Sequence, residues 1–307
     1  MWDSMYDASY YNEEPSHYLE KQEPYIQQAE KAIRDFFSRR KMPFHHSQLK
    51  VLFETQFFHI TTFQAIHRLL NDATLDTKQF KAGANNVDFV FPSYLLKSTK
   101  TKHTLFAHME SKAKTISLYD KPDISKDLAD HFEALVKSEL RANNLVIVDT
   151  HSNEYKGRKW EYSKANLDFI AEHTDGRAFG VQAKNELKGI EKNELEEQLA
   201  ICSYLDLQPI FIVRYMPFSF VPLIRQNQGF LIVIGNQLWP LGYRELCQNI
   251  KTKMSISTIS SSLRELAPKV RTEWPIEVRT EIPEDASNRL KNWITTGEYP
   301  NTISSTY

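Results

Sequence analysis

The sequence predicts a two-domain α/β protein, in which a helical domain with one β-hairpin precedes a mixed β-sheet flanked by helices. Its 307 residues exceed the ~100 to 200 residues of one ordinary domain. Before residue 92, three segments with helical spacing of apolar residues precede a hairpin pattern. After residue 122, helical segments alternate with short apolar runs that are typical of strands.

Composition narrows the class of protein. Hydrophobic residues make up 41% of the chain and charged residues 25%, as in globular proteins with a substantial core. The two cysteines, Cys202 and Cys247, form no CxxC pattern, which argues against a zinc site or a disulfide framework and fits a reducing compartment. Neither GxGxxG nor a Walker sequence occurs, and no apolar run approaches the ~18 residues of a membrane span. We therefore expect a cytoplasmic protein without a membrane partner.

Basic residues are concentrated in two blocks, although the formal net charge is only -1. Residues 31–50 carry six Lys or Arg against one Asp, and residues 97–114 carry five Lys against one Glu. Such blocks favour contact with nucleic acid, and solvated helix faces are the alternative interpretation.

Composition and pattern divide the chain into five parts. Residues 1–23 are polar and aperiodic, which predicts a disordered N-terminus, and residues 24–92 form the first domain. Residues 93–122 are interpreted as a basic linker, partly helical, and residues 123–250 as the second domain. The C-terminal extension, residues 251–307, could cap the sheet, mediate dimerisation or contact nucleic acid.

The first domain contains three helical patterns. The first begins at Pro24, a residue suited to a first helical turn, and the second, "HSQLKVLFET", offers Ser47 as an N-cap. The third is "HITTFQAIHRLLND", whose inward face we predict to be Phe63, Ile66, Leu69 and Leu70.

The outward face of the third helix and the following hairpin carry polar groups. "TLDTKQF" and "NVDFVFP" alternate in a hairpin pattern. Three helices followed by a hairpin resemble the winged helix-turn-helix of DNA-binding proteins, and this resemblance implies that the third helix enters the major groove of double-stranded DNA. Gln64 and Arg68 would then read base edges, while the hairpin lysines would contact phosphates. A structural or protein-binding winged helix is the alternative. The DNA-binding candidates are Thr62, Gln64, His67, Arg68, Lys78 and Lys81.

The sequence of the second domain predicts a helix, three strands, a helix and a strand (αβββαβ), followed by one further strand. Its first helix, "DISKDLADHFEALVKSELRANN", leads into "LVIVDT", which we predict to be a buried strand. "NLDFIAEH" and "RAFGVQAK" flank an Asp-Gly turn signal, and a helix and the apolar runs "PIFIVRY" and "GFLIVIG" follow. This order implies a mixed sheet with helices on both faces.

Polar residues on these strands are the candidates for chemistry. Gln182 and Lys184 share one face of their strand because strand side chains alternate. A hairpin loop of residues 174–176 would place Asp168 opposite Gln182, whereas a two-residue loop would place it opposite Ala183. We predict the three-residue loop. Oxygen ligands with a nearby ammonium suit Mg²⁺ or Mn²⁺ and phosphodiester hydrolysis.

Asp168, thirteen intervening residues and then Gln182-Ala183-Lys184 resemble the signature of the PD-(D/E)XK nuclease superfamily. "HFEALVKSEL" is similar to the FExxVxxxL pattern of its Mrr-like and Holliday-junction-resolvase-like branches. The resemblance implies a restriction-endonuclease-like core with catalytic residues Glu133, Asp168, Gln182 and Lys184, and it makes the first three the metal ligands. Glu139 is an alternative to Glu133, and Gln198 matches a position that faces the site in some relatives.

A winged helix ahead of such a core is similar to Mrr-type modification-dependent restriction enzymes. The resemblance implies a Mg²⁺- or Mn²⁺-dependent endonuclease that acts on double-stranded DNA as a homodimer. Two departures are that Gln182 replaces the more usual acid and that the superfamily's Pro is absent before Asp168. The alternatives are a non-catalytic DNA-binding regulator with a degenerate nuclease fold, a nuclease for RNA or branched DNA, and a chance D…QxK string.

Overall fold

The computed structural model describes residues 16–82, 85–187, 189–261 and 284–296. The chain forms two compact units: unit 1 comprises residues 1–125 and 248–256, and unit 2 comprises residues 126–247 and 257–307. The predicted mixed α/β class is confirmed. Within the described ranges, none of the helices has both the length and the apolar character needed to cross a membrane.

Unit 1 contains the three helices and the hairpin that the sequence predicts. Its sheet has the order β1-β3-β2 and is antiparallel throughout. The elements, in chain order, are α1 (Ser16–Arg39), β1 (Phe44–His45), α2 (His46–Phe53), α3 (His59–Asn71), β2 (Leu75–Ala82), β3 (Asn85–Pro92) and α4 (Thr99–Tyr119).

The first helix is longer than predicted. α1 begins at Ser16, so residues 16–23 are helical and not disordered, and Pro24 lies inside the helix. A proline inside a helix removes one hydrogen bond, and here the Arg68 guanidinium holds the adjacent Glu23 through two hydrogen bonds of 2.6 Å. Residues 1–15 lie outside the described part of the chain.

The second helix is capped by a residue other than the predicted Ser47. His45 is the N-cap of α2: its Nδ1 accepts a hydrogen bond from the Ser47 backbone N–H at 3.2 Å. Gln48 Oε1 accepts from the His45 backbone N–H at 3.3 Å, which completes a capping box. Both side chains are buried, so this cap also anchors α2 to the core of unit 1.

The interpretation of residues 93–122 as a linker was wrong. Most of this segment is α4, a helix of 21 residues that belongs to unit 1. Leu105, Met109, Ala113 and Ile116 lie on its buried face. The sequence obscured this face because Lys112, a residue typical of surfaces, lies within it and is buried as well.

Unit 2 is built on a five-stranded mixed sheet of order β10-β9-β8-β7-β4. β4, β7 and β8 are antiparallel neighbours, whereas β8, β9 and β10 run parallel. Its helices are α5 (Pro122–Ala142), α6 (Lys192–Leu205), α7 (Val221–Gln226) and α9 (Glu284–Thr296), and α8 (Arg244–Met254) begins in unit 2. Residues 122–125 of α5 and residues 248–254 of α8 belong to unit 1. The strands are β4 (Leu145–Ser152), β5 (Glu154–Tyr155), β6 (Arg158–Lys159), β7 (Leu167–His173), β8 (Ala178–Lys184), β9 (Gln208–Val213), β10 (Phe230–Val233), β11 (Gln237–Pro240) and β12 (Thr258–Ser261).

Apolar side chains of the sheet enter two separate core clusters. Phe169 and Val181 pack in one cluster with residues of α5 and α9. Ile170 packs in the other with Cys202 of α6. Gly180 permits the close approach of α6, because a Cβ at this position would lie 2.6 Å from Cys202 Sγ.

The strand that we predicted to be buried, "LVIVDT", lies at the edge of the sheet. In β4, Val146 is 60% and Val148 46% exposed, while Leu145 is buried. A continuous apolar run is typical of strands that are buried on both faces. β4 departs from this pattern because it has a neighbour on one side only and exposes Val146 and Val148.

The C-terminal extension contributes to unit 2. β12 pairs in parallel with β11, and α9 inserts Leu290, Trp293 and Ile294 into the core of the sheet. The Trp293 ring stacks on Phe230 with a centroid distance of 5.1 Å. Ile259 and α9 therefore cover the core of the sheet, whereas residues 251–256 belong to unit 1. Residues 262–283 and 297–307 lie outside the described part of the chain.

Candidate metal centre and nucleic-acid surface

The hairpin between β7 and β8 has the predicted three-residue loop. The pairs run from Glu172–Ala178 to Phe169–Val181, and the His173 N–H donates to the Arg177 carbonyl at 2.9 Å. Gly176 takes φ +90°, a conformation that favours glycine, at the end of this loop. Continuation of these pairs by one residue places Asp168 opposite Gln182, so the predicted register is confirmed.

Asp168 lies where the pairing of β7 and β8 ends. The last pair is Phe169–Val181, and one residue further the Asp168 carboxylate accepts a hydrogen bond from the Ala183 N–H at 2.7 Å. Burial raises the pKa of Asp168 to about 6 against the lowering effect of this hydrogen bond, and the nearby Glu133 raises it further. The fold therefore holds an acid in a place where its charge is unfavourable unless a cation is close.

Glu133 reaches the same place from α5. Its carboxylate, the Asp168 carboxylate and the His151 imidazole each offer one ligand atom, and these three atoms lie within 4.8 Å of one another. The alternative acid, Glu139, lies nearly two turns further along α5, where Glu139 Oε1 accepts a hydrogen bond from Asn143 Nδ2 at 2.8 Å. The geometry thus favours Glu133 of the two acids.

His151 is a member of this group that was not among the residues predicted from the sequence. Its Nε2 lies 3.4 Å from Glu133 Oε2, and it belongs to the edge strand β4. No sequence pattern indicates it, because the pairing of β4 with β7 contains an irregularity between Ile147 and Asp149.

Gln182 and Lys184 lie on β8, next to this group in the register of the sheet. Gln182 Oε1 is buried and accepts no hydrogen bond within the described part of the chain. Lys184 Nζ forms an ion pair with Glu194 in the first turn of α6, a contact that the sequence did not indicate. Gln198 Nε2 donates to the Asn166 carbonyl at 3.2 Å, which gives it a role within the fold.

These residues fit a divalent cation. Two carboxylates and one imidazole offer ligand atoms within 4.8 Å of one another. The buried amide oxygen of Gln182, which accepts no hydrogen bond among the described residues, lies on the neighbouring strand β8. Carboxylate and amide oxygens suit Mg²⁺ and Mn²⁺, and imidazole suits transition metals.

Two of the DNA-binding candidates on α3 are not free to contact DNA in the way that the sequence predicts. Thr62 is 0% exposed and packs inward, so it cannot contact DNA, while Phe63 is only half-buried. Small side chains at positions 62 and 65 let α3 pack closely on its neighbours. Arg68 is engaged by Glu23 through both terminal nitrogens, and Glu30 lies 3.6 Å away.

The remaining candidates of α3 and the hairpin are more accessible. His67 is exposed, and Gln64 is half-buried with no hydrogen-bond partner for its Oε1 among the described residues. Lys78 and Lys81 are exposed on β2.

Lys78 of β2 joins a basic surface with the start of α4. Lys78 Nζ lies 5.2 Å and Lys102 Nζ 5.8 Å from the centre of the Phe106 ring, so one aromatic ring holds ammonium groups of both elements. Lys100, also exposed, lies in the first turn of α4. We call Lys78, Lys100 and Lys102 the basic surface of unit 1.

Comparisons with protein-family models, with curated proteins and with solved structures found no match to this chain.

Proposed function

We propose that this protein is a metal-dependent endonuclease that hydrolyses phosphodiester bonds of double-stranded DNA. Unit 2 would be a restriction-endonuclease-like core and unit 1 a winged helix. The observation that carries the proposal is the convergence of Glu133 and Asp168 beside Gln182 and Lys184 at the end of the β7–β8 hairpin.

The residues divide the chemistry among them. Glu133, Asp168 and Gln182 would hold Mg²⁺ or Mn²⁺, which when bound stabilises negative charge on the reacting phosphate. Lys184 can neutralise charge that develops on phosphate oxygens and can orient the attacking water. Its ion pair with Glu194 fixes the position of the ammonium group before substrate binds.

Two features of unit 1 support DNA as the substrate. The order of helices and strands, with β1 and the β2–β3 hairpin in one sheet, resembles that of a winged helix. The basic surface of unit 1 presents ammonium groups suited to phosphates. Cleavage of both strands would require two active sites, and we propose a homodimer for this reason.

The test is cleavage of modified and unmodified plasmid DNA by the full chain in Mg²⁺, Mn²⁺ or EDTA. We expect metal-dependent nicking and linearisation, and a loss of about 10²-fold or more in rate for Lys184→Ala. Lys192→Ala, which removes an exposed lysine of α6, is the matched control and should cleave at the wild-type rate. A protein that binds DNA but cleaves neither modified nor unmodified DNA, branched DNA or RNA in Mg²⁺ or Mn²⁺ would favour the alternative of a non-catalytic DNA-binding protein.

The basic surface of unit 1 gives a second prediction. Replacing Lys78, Lys100 and Lys102 together by Ala should weaken DNA binding and should reduce the slope of log affinity against log salt by about 0.9 for each phosphate that the variant no longer neutralises. The control replaces Lys121, Lys126 and Lys164, three exposed lysines outside both basic blocks, by Ala. Fluorescence anisotropy at several salt concentrations measures both quantities. Equal slopes for the two triple variants would show that the basic surface does not contact the backbone of DNA.

A further inference from the structure

A β-bulge in the edge strand β4 determines which residue lies beside Asp168. Leu145 to Ile147 pair with His173 to Ala171, and continuation of that register would bring Thr150 opposite Asp168. The irregularity after Ile147 shifts the pairing by one residue, so that Thr150 pairs with Phe169 and Ser152 with Leu167. His151 therefore falls opposite Asp168, between these two pairs.

The imidazole lies at a distance from Glu133 that suits two ligands of one ion. Two ligands at right angles with bonds of about 2.1 Å lie about 3 Å apart. His151 Nε2 and Glu133 Oε2 are 3.4 Å apart, and the ligand atoms of Glu133, His151 and Asp168 all lie within 4.8 Å of one another. A small closure of these side chains would complete coordination.

The backbone of His151 is held in an uncommon conformation. Its φ of +50° lies in the left-handed region, which costs a residue other than glycine about 1 kcal/mol or more. Asn166 Nδ2 donates a hydrogen bond to the His151 carbonyl at 3.3 Å and so helps to fix this conformation. The imidazole itself is about half exposed, which leaves it accessible to an ion from solvent.

We propose that His151 is a ligand of the metal centre and that its nitrogen makes the centre select Mn²⁺ or another first-row transition metal ion over Mg²⁺ and Ca²⁺. This inference rests on the metal centre of the proposed function and specifies its ion. Imidazole binds transition metal ions well, whereas Mg²⁺ and Ca²⁺ prefer oxygen ligands.

The neutral Gln182 strengthens the same preference. An amide in place of a carboxylate removes one negative charge from the donor set, which weakens attraction for any dication. Hard cations depend most on charged oxygen ligands, so the contribution of the imidazole to transition metal binding becomes relatively larger. A simple ion pair between Glu133 and His151 is the competing explanation of their contact, and it predicts no effect of His151 on the choice of metal.

The experiment measures metal binding by the full chain, using calorimetry for Mn²⁺ and Mg²⁺ and the electron paramagnetic resonance signal of Mn²⁺. The variants are His151→Ala and His151→Gln, and His103→Ala, an exposed imidazole of unit 1, is the control. We expect wild type to bind Mn²⁺ at least about tenfold more tightly than Mg²⁺. Both variants at position 151 should lose about 10- to 100-fold in Mn²⁺ affinity, with Mg²⁺ affinity within a few fold of wild type. Circular dichroism checks that the variants are folded.

Three results would overturn the inference: no Mn²⁺ preference in wild type, equal loss of both metals in the variants, or no loss at all. Absence of measurable binding of either metal would overturn it too. Cleavage assays separate the two proposals. If Mn²⁺ binding depends on His151 but no substrate is cut, the assignment of His151 as a ligand stands and the nuclease proposal fails. If DNA is cut in a metal-dependent way but variants at position 151 keep the metal preference of wild type, the nuclease proposal stands and the assignment of His151 fails.

Discussion

Asp168→Asn should lower the rate of metal-dependent DNA cleavage by about 10³-fold or more, since loss of a charged metal ligand removes several kcal/mol of transition-state stabilisation. The same change should stabilise the metal-free protein. The folded-state pKa of Asp168 is about 6, above the ordinary value of 3.8, because the folded protein holds the proton more tightly than the unfolded chain does. The stabilising contribution of the protonated carboxyl group is therefore complete below pH 3.8 and is lost as pH rises through 6. At pH 7 the substitution should therefore raise the free energy of unfolding by up to about 3 kcal/mol.

The substitution is chosen to keep the local structure. Asn can still accept the hydrogen bond from the Ala183 N–H, so the end of the β7–β8 hairpin should remain intact. Asp149→Asn, on the neighbouring strand and exposed, is the matched control and should change neither quantity appreciably. Cleavage rates with Mn²⁺ and urea unfolding in EDTA provide the two measurements. A variant that loses stability at pH 7, or that cleaves DNA at the wild-type rate, would show that Asp168 is structural.

Opposite effects on activity and stability are the expected mark of a residue kept for function. A purely structural carboxylate should have a lowered pKa and should stabilise the fold when charged. Asp175 behaves in this way: the hydrogen bonds of Arg177 hold its pKa well below the usual range, and it fixes the hairpin loop. The two aspartates lie on one hairpin, so the contrast arises from burial and partners and not from the residue type.

Local patterns in the sequence predicted much of the fold. The apolar spacing of α5 placed Leu128, Phe132 and Val136 in the core, and the structure buries all three. The Asp-Gly turn located the hairpin between β7 and β8. The expected alignment of Asp168 with Gln182 then selected the three-residue loop, which the structure has. These features depend on residues that are close along the chain.

Features that depend on tertiary context were not predictable in this way. The β-bulge that brings His151 opposite Asp168 has no local signature, since neither glycine nor proline marks it. Thr62 is buried because of what packs around α3 and not because of its own polarity. The partner of Lys184 comes from α6, at a helical position that the strand pattern of β8 does not reveal.

Substitution of Lys112, on α4 of unit 1, should have the second large effect, which is on stability. Its ammonium group is buried, donates to the Pro43 carbonyl at 2.6 Å and lies 4.0 Å from the centre of the Phe44 ring. Burial, with a smaller contribution from Arg40, lowers its pKa from 10.5 to about 7. Between these two pH values the unfolded chain binds a proton at Lys112 that the folded chain does not retain. The contribution of Lys112 to stability is therefore most favourable above pH 10.5 and becomes less favourable as pH decreases to about 7.

Lys112→Met should therefore stabilise the protein at pH 7 and remove the part of the pH dependence of stability that Lys112 causes between pH 7 and 10.5. Across the window, the pKa difference corresponds to a loss of roughly 5 kcal/mol at most in wild type. The variant leaves the Pro43 carbonyl without its donor, which costs about 1 to 3 kcal/mol, so the net gain at pH 7 should be about 2 kcal/mol. Urea unfolding followed by circular dichroism at about pH 7 and about pH 9.5, with Lys114→Met at an exposed site as the control, measures these changes. Equal destabilisation of Lys112→Met at both pH values would mean that the hydrogen bond to Pro43 outweighs the cost of burying the amine, and that the fold of unit 1 depends on this lysine.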